Sequence, residues 1–472
     1  MLFNSPSFIF GFLPAVLAGF FVLGRYGSPR LAILWLGFAS LVFYGFDNPK
    51  LQLPLILVSI GFNFVIGRAI ARSGRRALLV TGVVGNLLLL GFFKYAGLFL
   101  GTIADVTGFA LPRPEIPLPI GISFYTFTQI AFLVDVYRGG TKEYAPSKYL
   151  LFVTFFPHLI AGPILHHRET IPQFDAKEIF KPQADCIAQG LGWFTLGLFK
   201  KVMLADSIAP FADAVYDAAA KGAAISFADA WIGTLSYTLQ IYFDFSGYSD
   251  MAIGLALLFG ITFPLNFNSP YKSRSLIDFW RRWHMTLSRF LRDYLYVPLG
   301  GNRRGPLRRY INLLATMVIG GLWHGASWNF AVWGAIHGVG LAINHLWRGR
   351  ALALPAGVGL VLTLLVVVLA WVPFRATSFA AAVTIWKAML WPGDALLAAA
   401  SQIAALPWIA ALGALALLAP NTQEIMTHPW ESTRARVTWA LRPAWAIALG
   451  CLFGIAVAGT FGRESVFLYF RF

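Results

Sequence analysis

Gly321-Leu322-Trp323-His324-Gly325-Ala326-Ser327-Trp328 sets one imidazole inside an apolar run long enough to lie at membrane depth. An ionisable side chain there is costly, so it usually serves a pathway, a site or a buried hydrogen bond. The small residues after His324 leave space beside the ring that another side chain can fill. A second unusual histidine, His284, lies upstream in a strongly basic segment. The pair marks where chemistry is expected.

Composition sets the solvent. Of 472 residues, 58% are hydrophobic and only 12% charged, against about 25% charged in ordinary soluble domains. With a mean hydropathy of +0.66, the chain reads as an all-α, polytopic membrane protein. The run from Phe8 to Leu23 lacks a basic leader and is followed by further apolar runs, so it reads as a first anchor and not a cleaved signal. The net charge of +16 does not point to nucleic acid, because the cations cluster between apolar runs as the positive-inside rule requires. Tyr271–Arg309 holds ten Lys/Arg against Asp278 and Asp293. Arg68, Arg72, Arg75 and Arg76 form a second cluster without acidic neighbours. Both are expected on the cytoplasmic side. Cys186 and Cys451, far apart in or near apolar sequence, read as small packing residues and not as a disulfide or metal site.

Apolar segments fall near 8–24, 31–46, 51–70, 77–101, 117–137, 148–165, 187–205, 225–243, 246–264, 311–323, 328–346, 355–374, 403–420 and 440–461. These predict roughly 11–14 transmembrane or re-entrant helices, several too short for a full span of ~20 residues. Segment 311–323 is one of the short ones, which favours His324 near mid-depth. Six segments separate the two basic clusters, an even number that returns the chain to the same side. Arg348/Arg350 and Arg434/Arg436 then also fall inside and both termini outside. No repeat or linker stands out, so residues 1–472 read as one integral domain, with 165–184 and the basic segment 271–309 as its main soluble parts. Ile277-Asp278-Phe279-Trp280-Arg281-Arg282-Trp283-His284 predicts a helical stretch ending at Val297–Gly301. Its tryptophans suit the membrane interface and its arginines either lipid headgroups or a phosphorylated ligand.

Other motifs divide between packing and function. Pro119–Tyr125 and Phe156–Ile164 put Pro and Gly at breaks, which membrane depth tolerates only where protein or a cavity satisfies the backbone. His158 reads as a hydrogen-bonded interior residue. Tyr242-Phe243-Asp244-Phe245-Ser246-Gly247-Tyr248-Ser249-Asp250 sets two carboxylates between apolar segments, which predicts either an ion pair with an arginine of the basic segment or a direct role in the site. His166-His167 lacks the further ligands a metal needs, so no metal is expected. Neither a phosphate-binding Gly loop nor a G-x-S-x-G elbow is present, which argues against nucleophilic serine chemistry. His284 and His324 remain. A neutral imidazole can take a proton from a hydroxyl, and burial favours that neutral form.

These residues resemble the membrane-bound O-acyltransferase family, and within it the bacterial branch that acetylates alginate. The resemblance rests on Met1–Ser5, Pro119–Tyr125, Ala161–Ile164, Tyr242–Asp250, Asn266–Tyr271, Asp278–Arg303, Trp323-His324-Gly325 and the aromatic tail Phe467–Phe472. It implies a multi-helix fold around a funnel, with His324 as the signature histidine. His284 maps onto the family's second polar position, asparagine in many lipid-modifying members. The activity implied by the resemblance is that of an inner-membrane O-acetyltransferase with no permanently bound cofactor. It would take acetyl from a cytoplasmic thioester, acetyl-CoA, for exopolysaccharide O-acetylation. His324 would be the base, with His284 positioning the donor or assisting proton transfer. Lys272, Arg281, Arg282 and Arg289 are candidates for the donor phosphates. Secreted SGNH-type acetyltransferases are the expected partners, beside membrane lipid. D-alanyl transfer to teichoic acid, peptidoglycan O-acetylation and an acyl or polysaccharide transporter are the alternatives.

Overall fold

The computed structural model describes residues 1–109, 116–139, 145–350, 354–391, 400–426, 439–461 and 467–468. Arg434, Arg436 and the tail from Tyr469 onward lie outside them. The described residues are helical, with no strand among them. They fold as two compact units, residues 1–195 with 248–264, and 196–247 with 265–472.

The first unit is built from α1 (Ser7–Gly27), α2 (Pro29–Gly45), α3 (Pro49–Ser73), α4 (Arg76–Thr107), α5 (Ile122–Tyr137) and the short α6 (Pro146–Thr154). α1, α3 and α4 are long and apolar enough to cross a membrane. Hydrocarbon gives helices no hydrophobic reason to associate, so small residues and side-chain hydrogen bonds hold them. α3 and α4 meet through a reciprocal amide pair, Asn63 and Asn86, at 3.1 and 2.6 Å. Gln129 of α5 donates to Ser59 of α3 at 2.8 Å. At Gly67 an added Cβ would lie 2.6 Å from the Phe132 ring. The breaks predicted here are satisfied by protein: Tyr44 donates to the Ile120 carbonyl at 2.8 Å, and Gly121 takes a left-handed φ of 72°. His158 Nε2 donates to the Phe152 carbonyl at 2.8 Å, as an interior histidine should.

α7 (Ala184–Phe199) continues through a π-helical turn, Lys200–Ala205, into α8 (Asp206–Ala220). α9 (Phe227–Leu258) is a single 32-residue helix, where the sequence predicts two segments, 225–243 and 246–264. The polar stretch Tyr242–Asp250 therefore lies inside a helix. It looks like a break in the sequence because the partner of Asp244 is remote. That partner is Lys201 of the π turn, 2.6 Å away, and not an arginine of the basic segment. Segment 148–165 also fails as a span, since α6 has nine residues and a separate four-residue turn follows. The count of six crossings between the basic clusters falls with these two.

The second unit adds α10 (Leu276–Trp280), α11 (Met285–Leu291), α12 (Gly305–His324), α13 (Trp328–Gly349), α14 (Ala356–Arg375), α15 (Phe379–Leu390), α16 (Leu406–Leu418) and α17 (Pro443–Thr460). α14 and α17 qualify as spans. α12 runs 20 residues, about 30 Å at 1.5 Å per residue, longer than the apolar segment 311–323, but it is not among the described helices long and apolar enough to cross a membrane. Its first turns carry Arg308 and Arg309, which hide the helix from an apolar count.

Candidate active site

α12 and α13 form the frame. They approach until backbones touch: a Cβ on Gly321 would lie 2.1 Å from the Phe330 carbonyl oxygen, and one on Gly334 2.2 Å from that of Met317. Glycine is required at both places because no side chain fits the gap. Part of the room expected after His324 is taken. A Cβ on Gly325 would sit 2.0 Å from the Phe330 ring, so glycine there admits an aromatic wall.

His324 closes α12 inside a box of rings. Its centroid lies 5.0 Å from Trp323, 5.0 Å from Trp333 and 5.2 Å from Phe374 of α14. Trp323 also meets His284, at 6.3 Å. The two histidines named from sequence therefore share one indole, although they come from separate elements.

His284 is held differently. The expected helix through 277–297 is interrupted: α10 stops at Trp280, and His284 adopts φ 42° before α11 begins. The cause is backbone pairing with the chain at 266–268. The Asn268 N–H donates to the Arg282 carbonyl and the Met285 N–H to that of Asn266, each at 2.9 Å. Asn266 Oδ1 receives the Thr286 N–H at 3.3 Å, the Thr286 hydroxyl at 2.9 Å and His284 Nδ1 at 3.0 Å. A main-chain N–H can only donate, so that Asn266 atom is the oxygen and His284 Nδ1 carries the proton. His284 Nε2 is then the bare nitrogen. It is fully buried and has no hydrogen-bond partner among the described residues. Burial pushes the imidazole pKa down to about 3, keeping that lone pair available at neutral pH.

A third buried histidine escapes a reading of the sequence alone. His337 stands one turn beyond Trp333 on α13, ring centroids 4.9 Å apart. Its Nδ1 faces the Trp280 indole nitrogen at 3.3 Å. Indole only donates, so His337 carries its proton on Nε2. That Nε2 and the Trp333 Nε1 have no hydrogen-bond partner among the described residues. A buried donor left this way costs about 1–3 kcal/mol. The signal in the sequence is the four-residue spacing of Trp333 and His337, which puts both on one helix face.

Beside this box lies a cavity of about 520 Å³, walled by residues of α10 to α13. Its apolar lining includes Leu291, Leu313, Met317 and Leu341, and its basic side chains are Arg281, Arg289, Arg292 and His345. Of the four residues expected at the donor phosphates, Arg281 and Arg289 line this cavity. Lys272 is elsewhere, donating to the Ala419 carbonyl at 2.6 Å. Arg282 pairs with Asp278 at 2.9 Å and with the Asn268 carbonyl. Trp280 lines the cavity while donating to His337, and so connects cavity to box. Along α13, Trp333, His337, Leu341 and His345 occupy successive turns, a rise of about 18 Å from first to last.

An apolar cavity with basic side chains in its wall, next to imidazole nitrogens left open, suits a long anionic thioester and a proton-transfer step. The family model for membrane-bound O-acyltransferases matches residues 131–356. The peptidoglycan O-acetyltransferase of Helicobacter pylori is 44% identical over 424 residues, covering 83% of this chain and 80% of that protein. The probable alginate O-acetylase of Pseudomonas aeruginosa is 43% identical over 406 residues, covering 82% and 75%. A teichoic acid D-alanyltransferase of Streptococcus thermophilus is 30% identical over 236 residues, covering 48% and 57%.

Proposed function

This chain belongs to the membrane-bound O-acyltransferase family, and on that premise we propose that it moves acetyl groups from cytoplasmic acetyl-CoA across the bacterial inner membrane for O-acetylation of an exported, alginate-like polysaccharide. Family membership makes it a membrane acyltransferase and removes the transporter alternative. The observation that supports the finer reading is the grouping of His324 and His284 around Trp323, in a unit whose arginine-lined cavity reaches the same box through Trp280.

In this reading the donor lies in the cavity, its phosphates at Arg281, Arg289 and Arg292 and its thioester toward Trp333. His324 takes the proton from the accepting hydroxyl. The hydroxyl oxygen bonds to the thioester carbonyl carbon, the C–S bond breaks, and the proton passes to the departing thiolate. His284 Nε2 offers a second acceptor that keeps the hydroxyl oriented. A general base contributes about 10²–10⁴-fold. Secreted SGNH-type acetyltransferases would take the acetyl group onward.

Peptidoglycan is the second acceptor to weigh, because the Helicobacter relative bearing that name matches as well as the alginate acetylases do. D-alanyl transfer is less favoured, since that relative aligns with only 48% of this chain. Vesicles holding the purified protein, given acetyl-labelled acetyl-CoA outside and polysaccharide or peptidoglycan strands inside with the partner, test the reading. Label should reach one acceptor in wild type and fall roughly 100-fold or more in His324→Ala. Undiminished transfer by that variant would remove His324 as the base.

A further inference from the structure

The reaction just proposed accounts for a base and for donor phosphates. It leaves without a task two buried donors one helical turn apart, the Nε1–H of Trp333 and the Nε2–H of His337. Resting on that reading, we propose that Trp333 Nε1–H and His337 Nε2–H together hold the carbonyl oxygen of the acyl donor and take up the negative charge that develops on it.

Three observations carry this. Trp333 and His337 are 1% and 0% exposed, so neither donor is served by bulk water, and neither has a protein partner among the described residues. Their position on α13 is intermediate. Leu341, the next turn on, lines the cavity, while the Trp333 ring lies 5.0 Å from His324. An acyl group entering from the cavity toward His324 passes both. Finally, the protonation state is fixed for the role. The Trp280 indole occupies His337 Nδ1, which an imidazolium would have to give up, so the ring stays neutral with its proton on Nε2. Neutral imidazole is a suitable donor here because it stabilises an oxyanion without surrendering its proton.

The electron balance is simple. When the acceptor oxygen bonds to the carbonyl carbon, the C=O π pair moves onto oxygen, where the two N–H groups receive it. Collapse restores the carbonyl and expels the thiolate. Neither donor changes protonation state, and no further reagent is needed. Trp280 acts through His337 and is a positioning residue.

The test measures thiol release from acetyl-CoA, and separately from acetyl-pantetheine, by the purified full-length protein in lipid discs. His337→Phe and Trp333→Phe keep a ring and remove the donor. Each is expected to lower kcat about 10²-fold with the donor KM changed less than about threefold, while His337→Gln, which retains an N–H, recovers roughly a tenfold share. Trp280→Phe should introduce a new ionisation into the kcat–pH profile, because His337 Nδ1 becomes free to protonate. Full kcat in both Phe variants overturns the proposal, as does a loss that appears only in KM. Should a Phe variant fail to fold, the tautomer decides: ¹⁵N shifts showing His337 protonated on Nδ1 in the wild type overturn it. If the wild type releases no thiol from either donor while folded, the acyl-transfer reading fails instead. Loss in His324→Ala with full activity in both Phe variants defeats the donor pair alone.

Discussion

Two buried polar clusters of the second unit differ in one respect. Around Asp244 every charge is answered. Lys201 lies 2.6 Å from Asp244 and from Asp206, and the Leu468 N–H donates to the other Asp244 oxygen at 3.1 Å. Around Trp333 the network is half open: His284 is tied at Nδ1 and bare at Nε2, and His337 is the reverse case, accepting at Nδ1 with its Nε2–H unanswered among the described residues. Folding alone selects for closed networks, since unanswered groups cost stability. Groups left open at full burial are candidates for a substrate to complete. The Asp244 cluster therefore reads as structure and the histidine box as the candidate site.

The contrast breaks most visibly at Asp244. Asp244→Ala takes one of its two carboxylate partners from the Lys201 ammonium, 2% exposed, and leaves it Asp206, so it should cost about 2–3 kcal/mol in stability. Asp244→Leu combined with Lys201→Met should return most of it, read by thermal unfolding in detergent. A double variant as unstable as the single one would mean the cluster does more than balance its own charges. The opposite result is expected in the box. His337→Phe removes an unanswered donor but also the acceptor of the Trp280 indole N–H, so the two effects offset and stability should hold within about 1 kcal/mol even as activity falls. A drop of roughly 3 kcal/mol there would make the box another structural network. The smallest effect is on pH. His284 keeps a folded pKa of about 3 against an ordinary 6.5, so between those values the unfolded chain binds a proton that the folded chain does not. Stability is complete above the ordinary value and declines as pH falls toward the folded one, by on the order of 1 kcal/mol between about pH 7 and 5.5. His284→Asn should lose that slope in parallel denaturant titrations, and an unchanged slope would assign it elsewhere.

The class, the helical content and the burial of His284 and His324 are legible in residue order, because burial in lipid leaves a compositional mark and a lone imidazole in apolar sequence is conspicuous. Pairings remote in sequence are not. Nothing near Asp244 announces Lys201, so α9 looks like two helices. The turn at 281–284 depends on hydrogen bonds from Asn266 and Asn268, and local propensity favours a continuous helix there. His337 is easily passed over because its neighbours are aromatic and its tautomer depends on a partner, Trp280, that only folding brings to it. Lys272 carries the right charge in the right segment and still serves a helix end.

The left-handed turn at His284 also limits what can replace it. A φ of 42° is tolerated by glycine and, among residues with a side chain, best by Asn, Asp and His; β-branched residues are strained there before any contact is considered. The position that His284 occupies thus admits a short list set by backbone geometry. Imidazole and carboxamide can therefore trade places at this residue without redrawing the chain, because one bend accommodates both.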